Sequence, residues 1–541
     1  MKRSIFKNPK VFIANAILRV WCGFVLIASL AVLIASGACT YWPAGLQATQ
    51  TSTAVQLAPT EIVVKPRQAK PVPGPQLFAE DWTDAAPYIA AINPADQSGL
   101  TRLADAPIYH MDLVLDDSLT KLSGRMEVRY TNRQTQPLNE IYFRLFPNLF
   151  GGKLEVLQQV QVDGKPVEIR LEEQDSALRV ILPSPLAPGN AAVILMNWQA
   201  EIPQEGNSNY NTYAYAEGVL ALGQFYPLIP AIDQDGWYVR VPPQFGDVPF
   251  VDASFFRVRI STTAEIELIG SGQVNVREDA GGKRVFEFNA GPGRDFYLAG
   301  ARQLACRETQ EQGLTMRVCG LGLADESLQQ SLAIMTEAVA AMSADYRPYP
   351  YAELEVIATP TSALGVEYPG VIAINQRLFD PVAQFGEISG RVMRETTLVH
   401  EIAHQWFYNL IGNDQVDEPW LDEALAQYAT YQFYRDERGA GEALRQSFES
   451  RWDRVERAAT PIGLPVYLYT DRDYGAIVYG RGPLFIIALE EKVGSQVFER
   501  FLKQYADKFA WKNVDSAAFQ GLLEENCGCS LDDLFREWVY E

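Results

Sequence analysis

"HEIAHQWFYNLIGNDQVDEPWLDEALAQY" runs from His400 to Tyr428 and holds two of the three histidines in a chain of 541 residues. Residues four apart on an α-helix project from the same face, one turn above the other, so His400 and His404 can offer two imidazole nitrogens to one ion. Glu401 lies on the rim beside them. Glu423, nineteen positions after His404, is the best candidate for a third ligand. Two antiparallel helices joined by the short loop "GNDQVDE" would return it to the histidines. The spacing predicts that the first helix ends at Gly412 and that Asp417 and Pro419 start the next. Two histidines on a polar helix face are the bland alternative. Random placement of three histidines gives this pattern with odds on the order of one in a thousand, which favours the metal reading.

The chemistry of such a set is specific. A zinc ion with three protein ligands keeps a fourth position for water and lowers that water's pKa to about 7, and an adjacent carboxylate can take its proton during attack on a carbonyl. Amide hydrolysis needs those parts.

Upstream, from about 99 to 305, short runs such as "YHMDLVLD", "GRMEVRYTN", "AAVILMNWQ" and "FFRVRIS" predict strands, and "VQVDGKPVEIRL" a hairpin turning at Asp163-Gly164. Their number and punctuation indicate an N-terminal antiparallel β-sandwich. His110, in the first of these strands, reads as a partly buried structural residue. "DQDGW", Asp233 to Trp237, lacks the later ligands of a calcium loop and reads as a turn. From about 306 to 541 the pattern is mainly helical. Leu328, Leu332, Met335, Val339, Met342 and Tyr346 form one face of an amphipathic helix, expected to pack on the strand "LEVIATP".

A net charge of -21 excludes a surface built to track phosphates, so nucleic acid is not an expected partner. The N-terminus differs from this average: Lys2, Arg3, Lys7, Lys10 and Arg19 precede an apolar run from Val20 to Cys39. That order is that of an export signal, which places the rest of the chain in the cell envelope or outside the cell. Lipidation at Cys39, an uncleaved anchor in residues 20–39 and simple secretion all fit, although Ser36 stands where a lipoprotein signal prefers Leu. Residues 1–40 are thus the targeting segment, and 41–98, rich in Pro, Thr and Ala, a tether and lead-in. Cys306 with Cys319, and Cys527 with Cys529, fit structural bridges or free thiols better than a metal site.

"HEIAHQWFYN", followed at fixed distance by "WLDEALAQY", resembles the signature of the gluzincin zinc aminopeptidases, the group of aminopeptidase N. The resemblance covers about residues 105–541. It implies a thermolysin-like catalytic domain after the β-sandwich, one zinc per chain on His400, His404 and Glu423, and Glu401 as general base. "GVEYPG", Gly365 to Gly370, is similar to the family's Gly-Ala-Met-Glu-Asn motif, with Gly365 at its start and Glu367 binding the substrate's free α-amine; Val366 and Tyr368 depart from it. "VYGRGPLFIIALEEKVG" is similar to the segment carrying the oxyanion tyrosine, which would be Tyr479, with Tyr474 as the competing assignment. "GQFYP" resembles a glutamine that assists amine binding, Gln224. Ala424 replaces a frequent Gly, and the chain ends about 60 residues after Tyr479, so the large C-terminal helical domain of longer members is expected to be absent. The reading that results is a zinc aminopeptidase acting on peptides with a free N-terminus, attached to a membrane through its own N-terminus. A zinc endopeptidase with an open cleft and a non-catalytic surface binding protein on the same fold are the alternatives.

Overall fold

The computed structural model describes residues 77–78, 81–205, 209–263, 265–279 and 281–541. The N-terminal signal or anchor and most of the tether lie outside these residues. Among the described residues no helix is long and apolar enough to cross a membrane.

Alternation builds the first domain. In Ala191–Glu201, for example, Ala192, Ile194, Met196, Trp198 and Ala200 are buried while their neighbours point outward. Eight strands form the main sheet: β1 (Ile108–Leu115), β2 (Lys121–Thr131), β3 (Lys153–Val162), β4 (Lys165–Pro166), β5 (Ala191–Glu201), β6 (Ser254–Thr262), β7 (Gln273–Glu278) and β8 (Arg284–Gly293). Their spatial order is β7-β8-β6-β1-β2-β5-β3-β4. The β3–β4 hairpin turns at Asp163 (φ 49) and Gly164 (φ 74), the two positive φ values of a type I′ turn. A four-stranded and a three-stranded sheet share an apolar core with the main sheet, centred on Tyr109, Met111, Trp198, Phe225 and Phe256. One pairing departs from an antiparallel sandwich: β1 and β6 run parallel, with Ile108 opposite Phe255. A long excursion separates β6 from β5, so no tight hairpin dictates its direction.

The second domain begins with β9 (Leu304–Glu311) and β10 (Leu314–Leu321), bridged by the Cys306–Cys319 disulfide across directly paired positions. With β11 (Glu353–Thr359), β12 (Gly365–Tyr368) and β13 (Val371–Asn375) they make a sheet ordered β9-β10-β11-β13-β12. Helix α1 (Asp325–Asp345) buries Leu328, Met335, Val339 and Met342 in the core that also takes Leu354 and Val356 of β11. Helices α2 (Gly390–Ala403), α3 (Trp420–Arg438) and α4 (Gly441–Asp453) follow, and Cys527–Cys529 forms a second disulfide near the C-terminus.

Helix α2 ends at Ala403, with His404 at the cap, rather than at Gly412. The reason lies in the other domain. Arg294, fully buried just beyond β8, donates Nε to the Tyr408 carbonyl at 2.6 Å and Nη2 to that of Lys512 at 2.8 Å. Continuing the helix would remove that acceptor; the chain instead folds through turns, with Tyr408 at φ 118. A Cβ on Gly412 would lie 2.0 Å from Cζ of Arg294, so the glycine makes room for the guanidinium and does not stop the helix. Asp417 likewise does not cap α3, whose cap position is Pro419; it accepts from Arg240 Nη2 at 3.2 Å. The loop between the two helices is correspondingly longer than "GNDQVDE".

His110 is buried and stacked on Trp82, ring centroids 4.3 Å apart. Burial pushes its pKa down to about 4, against 6.5 in an exposed chain. The native state therefore resists a proton that the unfolded chain accepts. The resulting stability is fully present above pH 6.5 and is lost as pH falls from there to about 4, a loss of about 3 kcal/mol. Denaturant titrations at pH 7 and pH 4 should show this extra acid sensitivity in the wild type and its absence in His110→Gln; equal slopes for the two would refute it.

Candidate active site

Helical periodicity places His400 and His404 on one face of α2, and α3 lays Glu423 against them. His400 Nε2 and His404 Nε2 are 3.2 Å apart, and Glu423 Oε2 lies 3.2 Å from the first and 3.4 Å from the second. These are the edges of a small triangle. Ligands about 2.0–2.1 Å from a tetrahedral zinc stand roughly 3.3 Å from each other, so the three atoms fit such an ion. His404 donates Nδ1–H to the Phe407 carbonyl at 2.9 Å, which leaves Nε2 with its lone pair toward the triangle. Orientation of that kind is what a metal ligand needs.

The surrounding charge also calls for a cation. Burial lowers the pKa of His404, but Glu367, Glu423 and Glu401 outweigh it and raise it well above the ordinary value. Burial raises Glu423, yet hydrogen bonds with His400 and His404 hold it well below the usual carboxylate range. Glu401 is driven up by burial and then by the Glu367 charge. Asp422, buried and beside Glu423, is pushed up to about 7. A cation seated among these buried carboxylates would offset the repulsion that otherwise raises Glu401 and Asp422.

Glu401 stands one position from His400 on α2, with its Oε2 buried and holding no hydrogen-bond partner. Gly365, at the start of β12, faces it: a Cβ there would be 2.5 Å from Glu401 Oε1 and 2.6 Å from Cδ. The glycine thus clears space for the carboxylate. Gly365→Ala should lower kcat about 100-fold by displacing Glu401 by a fraction of an ångström to an ångström, with bound metal unchanged. Parallel metal analysis and steady-state kinetics check this; unaltered kcat would show that the contact is not restrictive.

Glu367, two residues along β12, is buried and accepts from Gln415 Nε2 at 3.2 Å; the same amide donates to Asp422 Oδ2 at 2.8 Å. A cavity of about 360 Å³ brings Gly365, Glu367, Glu401, the triangle and Tyr479 together. Tyr479 sits in a π-turn, Ile477–Arg481, a local irregularity that often marks functional positions. Its hydroxyl donates to Glu423 Oε1. Tyr474 also lines the cavity, its ring 5.6 Å from that of Tyr479, with a buried hydroxyl lacking a hydrogen-bond partner. Of the two, Tyr479 alone touches the triangle.

Gln224 is not in the cavity. Its backbone adopts φ 46, and its Nε2 donates to Asp295 Oδ2 at 2.6 Å within the sandwich domain. Asp295 is buried and also accepts from Tyr226, and this network claims the amide before any substrate can. Residues outside every motif take the sandwich domain's place at the cavity: Asp247 from "QFGDVPF", and Tyr210, whose hydroxyl accepts from the Gly246 amide at 2.9 Å. Arg451 of α4 and Arg454, at its C-terminal cap, line the cavity too. No spacing rule relates any of them to His400; only the fold does.

Residues 331–538 match the Peptidase family M1 domain. Aminopeptidase M1-B of Oryza sativa subsp. japonica is 28% identical over 211 residues, 36% of this chain and 23% of that protein. Endoplasmic reticulum aminopeptidase 2 of Homo sapiens is 24% identical over 385 residues, 67% of this chain and 38% of that protein. The chain thus spans well under half of either relative. An M1 zinc metallopeptidase from Deinococcus radiodurans has the same fold, with a TM-score of 0.61, 20% identity and coverage of 80% of this chain and 94% of that one. A mutant of that protein is solved with a Tyr-Ser-Ala substrate. The histidine–glutamate triangle on α2 and α3 lies inside the stretch, residues 331–538, that matches the Peptidase family M1 domain.

Proposed function

We propose that this protein is a zinc aminopeptidase that hydrolyses N-terminal residues from peptides. The observation that carries the reading is the presence of Glu367 in one cavity with the triangle and Glu401. Bound at the triangle, a zinc ion would supply a Lewis acid for the scissile carbonyl and a water of lowered pKa. Glu401, with an unpartnered buried oxygen, takes the proton of the attacking water and returns it to the departing amine. Glu367 pairs with the substrate's α-ammonium, a buried charge-assisted contact that an acetylated terminus cannot make. Tyr479 exchanges its hydrogen bond to Glu423 for one to the developing oxyanion. The Tyr-Ser-Ala substrate of the Deinococcus radiodurans fold relative supports a peptide as the class of substrate.

Export to the cell envelope or beyond, with a lipid or membrane anchor at the N-terminus, is part of the same proposal. It is supported by the basic-then-apolar order of residues 2–39 and by two disulfides, which persist in oxidising compartments.

The test compares a peptide with its N-acetylated form. Cleavage of the free peptide should exceed that of the blocked one by at least 100-fold, and Glu367→Gln should erode the difference. Equal cleavage of both would replace this reading by that of an endopeptidase.

A further inference from the structure

The turn that carries Tyr479 is fixed by the residues directly after it, Gly480, Arg481 and Gly482, each against a different part of the catalytic domain. Gly480 lies against α4. A Cβ there would come within 3.0 Å of the Phe448 carbonyl oxygen and of the Trp452 amide nitrogen, backbone atoms that cannot move aside. Gly482 lies against α3, where an added Cβ would be 2.9 Å from Cβ of Ala424, the neighbour of Glu423. Neither glycine has a positive φ, so close approach rather than backbone freedom accounts for both.

Arg481 holds the remaining side. Residues two apart on a helical turn do not share a face, so while the Tyr479 hydroxyl reaches Glu423, the Arg481 side chain runs into the protein away from the cavity. It is 3% exposed and donates Nη1 to the carbonyls of Thr460 at 2.6 Å and Trp538 at 2.9 Å, and Nη2 to that of Glu537 at 2.9 Å. The Trp538 ring covers the guanidinium, its centroid 4.8 Å from Cζ. The acceptors belong to one backbone platform, because the amides of Ile462 and Gly463 donate to the carbonyls of Trp538 and Val539 at 2.9 and 3.2 Å. A planar fork seated on fixed carbonyls has a single orientation.

We propose that Gly480, Arg481 and Gly482 are positioning residues that hold the Tyr479 hydroxyl at the triangle, where the oxyanion forms. A donor contributes to catalysis in proportion to how well it is placed before the reaction, and a displacement of about 1 Å can cost on the order of 100-fold. The contact of Gly482 with Ala424 sets the distance from the tyrosine turn to the helix bearing Glu423, and Arg481 keeps the turn from sliding along that helix. The proposal rests on the reading of Tyr479 as the oxyanion donor.

The experiment measures kcat, KM and bound zinc for Arg481→Lys in the wild-type and the Tyr479→Phe backgrounds, and locates the hydroxyl in crystal structures of the zinc-loaded wild type and Arg481→Lys. Lysine keeps the charge but loses the fork, so kcat should fall about 10- to 100-fold while KM and zinc stay within about twofold. Tyr479→Phe should lower kcat about 10²- to 10³-fold, and adding Arg481→Lys to it should cost less than about twofold more, since no hydroxyl is left to misplace. An equal loss in both backgrounds would make Arg481 a structural residue and overturn the proposal. Gly482→Ala keeps the question open to test if Arg481→Lys does not fold: kcat should fall about tenfold, and adding Ala424→Gly, which reopens the space, should restore most of it. No loss, or no recovery, would overturn the proposal. If Tyr479→Phe retains wild-type kcat, the oxyanion role falls, and the crystal structures decide the rest: a hydroxyl unmoved in Arg481→Lys overturns the positioning role, and one displaced from Glu423 supports it.

Discussion

Replacing Glu401 with glutamine is expected to lower kcat about 10²- to 10⁴-fold, the range for loss of a positioned general base, while the chain keeps its full complement of metal. The two effects separate because Glu401 is not among the three atoms of the triangle. Glutamine has nearly the same shape, so the space that Gly365 leaves beside this side chain still accommodates it. Folding should not suffer. In fact, neutralising one of several buried carboxylates relieves repulsion from Glu367, and thermal stability should stay level or rise. Metal analysis, a thermal melt and single-turnover kinetics on the same preparation check all three statements. Residual activity within tenfold of the wild type would remove Glu401 from the proton-transfer role.

Glu423→Ala is expected to abolish both metal retention and activity. It removes one corner of the triangle, and the remaining histidines provide two ligands where a catalytic zinc site has three. The loss of metal affinity should exceed the roughly 10- to 100-fold that follows deletion of a residue that merely orients a ligand. Tyr479 would also lose its hydrogen-bond acceptor, and His400 and His404 the carboxylate beside them. After dialysis against a weak chelator, the wild type should retain about one equivalent of zinc per chain and Glu423→Ala almost none. Full occupancy in the variant would mean that another carboxylate completes the set. Asp422 and Glu367, grouped with His404 on the adjoining face, are the residues that could do so.

Much of this site is readable from local order. The i, i+4 spacing forces two side chains onto one helical face whatever surrounds the helix, and the return of Glu423 needs only a second helix packed against the first. Glu367 is legible only through the resemblance of "GVEYPG" to a family motif; that Gly365 and Glu367 share one side of a short strand is seen in the structure. Strand alternation in β5 likewise reports the sandwich core without reference to any other segment.

Gln224 shows where such reasoning ends. Its local sequence resembles an amine-binding segment, but a positive φ and the buried Asp295 turn its amide toward the sandwich interior. Neither is visible in five residues. The C-terminal end of α2, at Ala403 rather than the expected Gly412, lies beyond such reasoning because its position depends on Arg294, more than a hundred residues upstream in the other domain. The parallel pairing of β1 with β6 is a third case, settled by how distant strands meet.

By itself, then, the sequence determined the order of a β-rich and a helical domain, the convergence of His400, His404 and Glu423, and the place of Glu401 beside them, since helical and strand periodicities are properties of neighbouring residues. Only the tertiary structure decided that Asp247 rather than Gln224 reaches the cavity, that Arg294 ends α2, and that Arg451 and Arg454 line the same cavity as Glu367. Those relations join residues far apart in the chain, and buried hydrogen bonds and packing between the domains, rather than any local preference, select them.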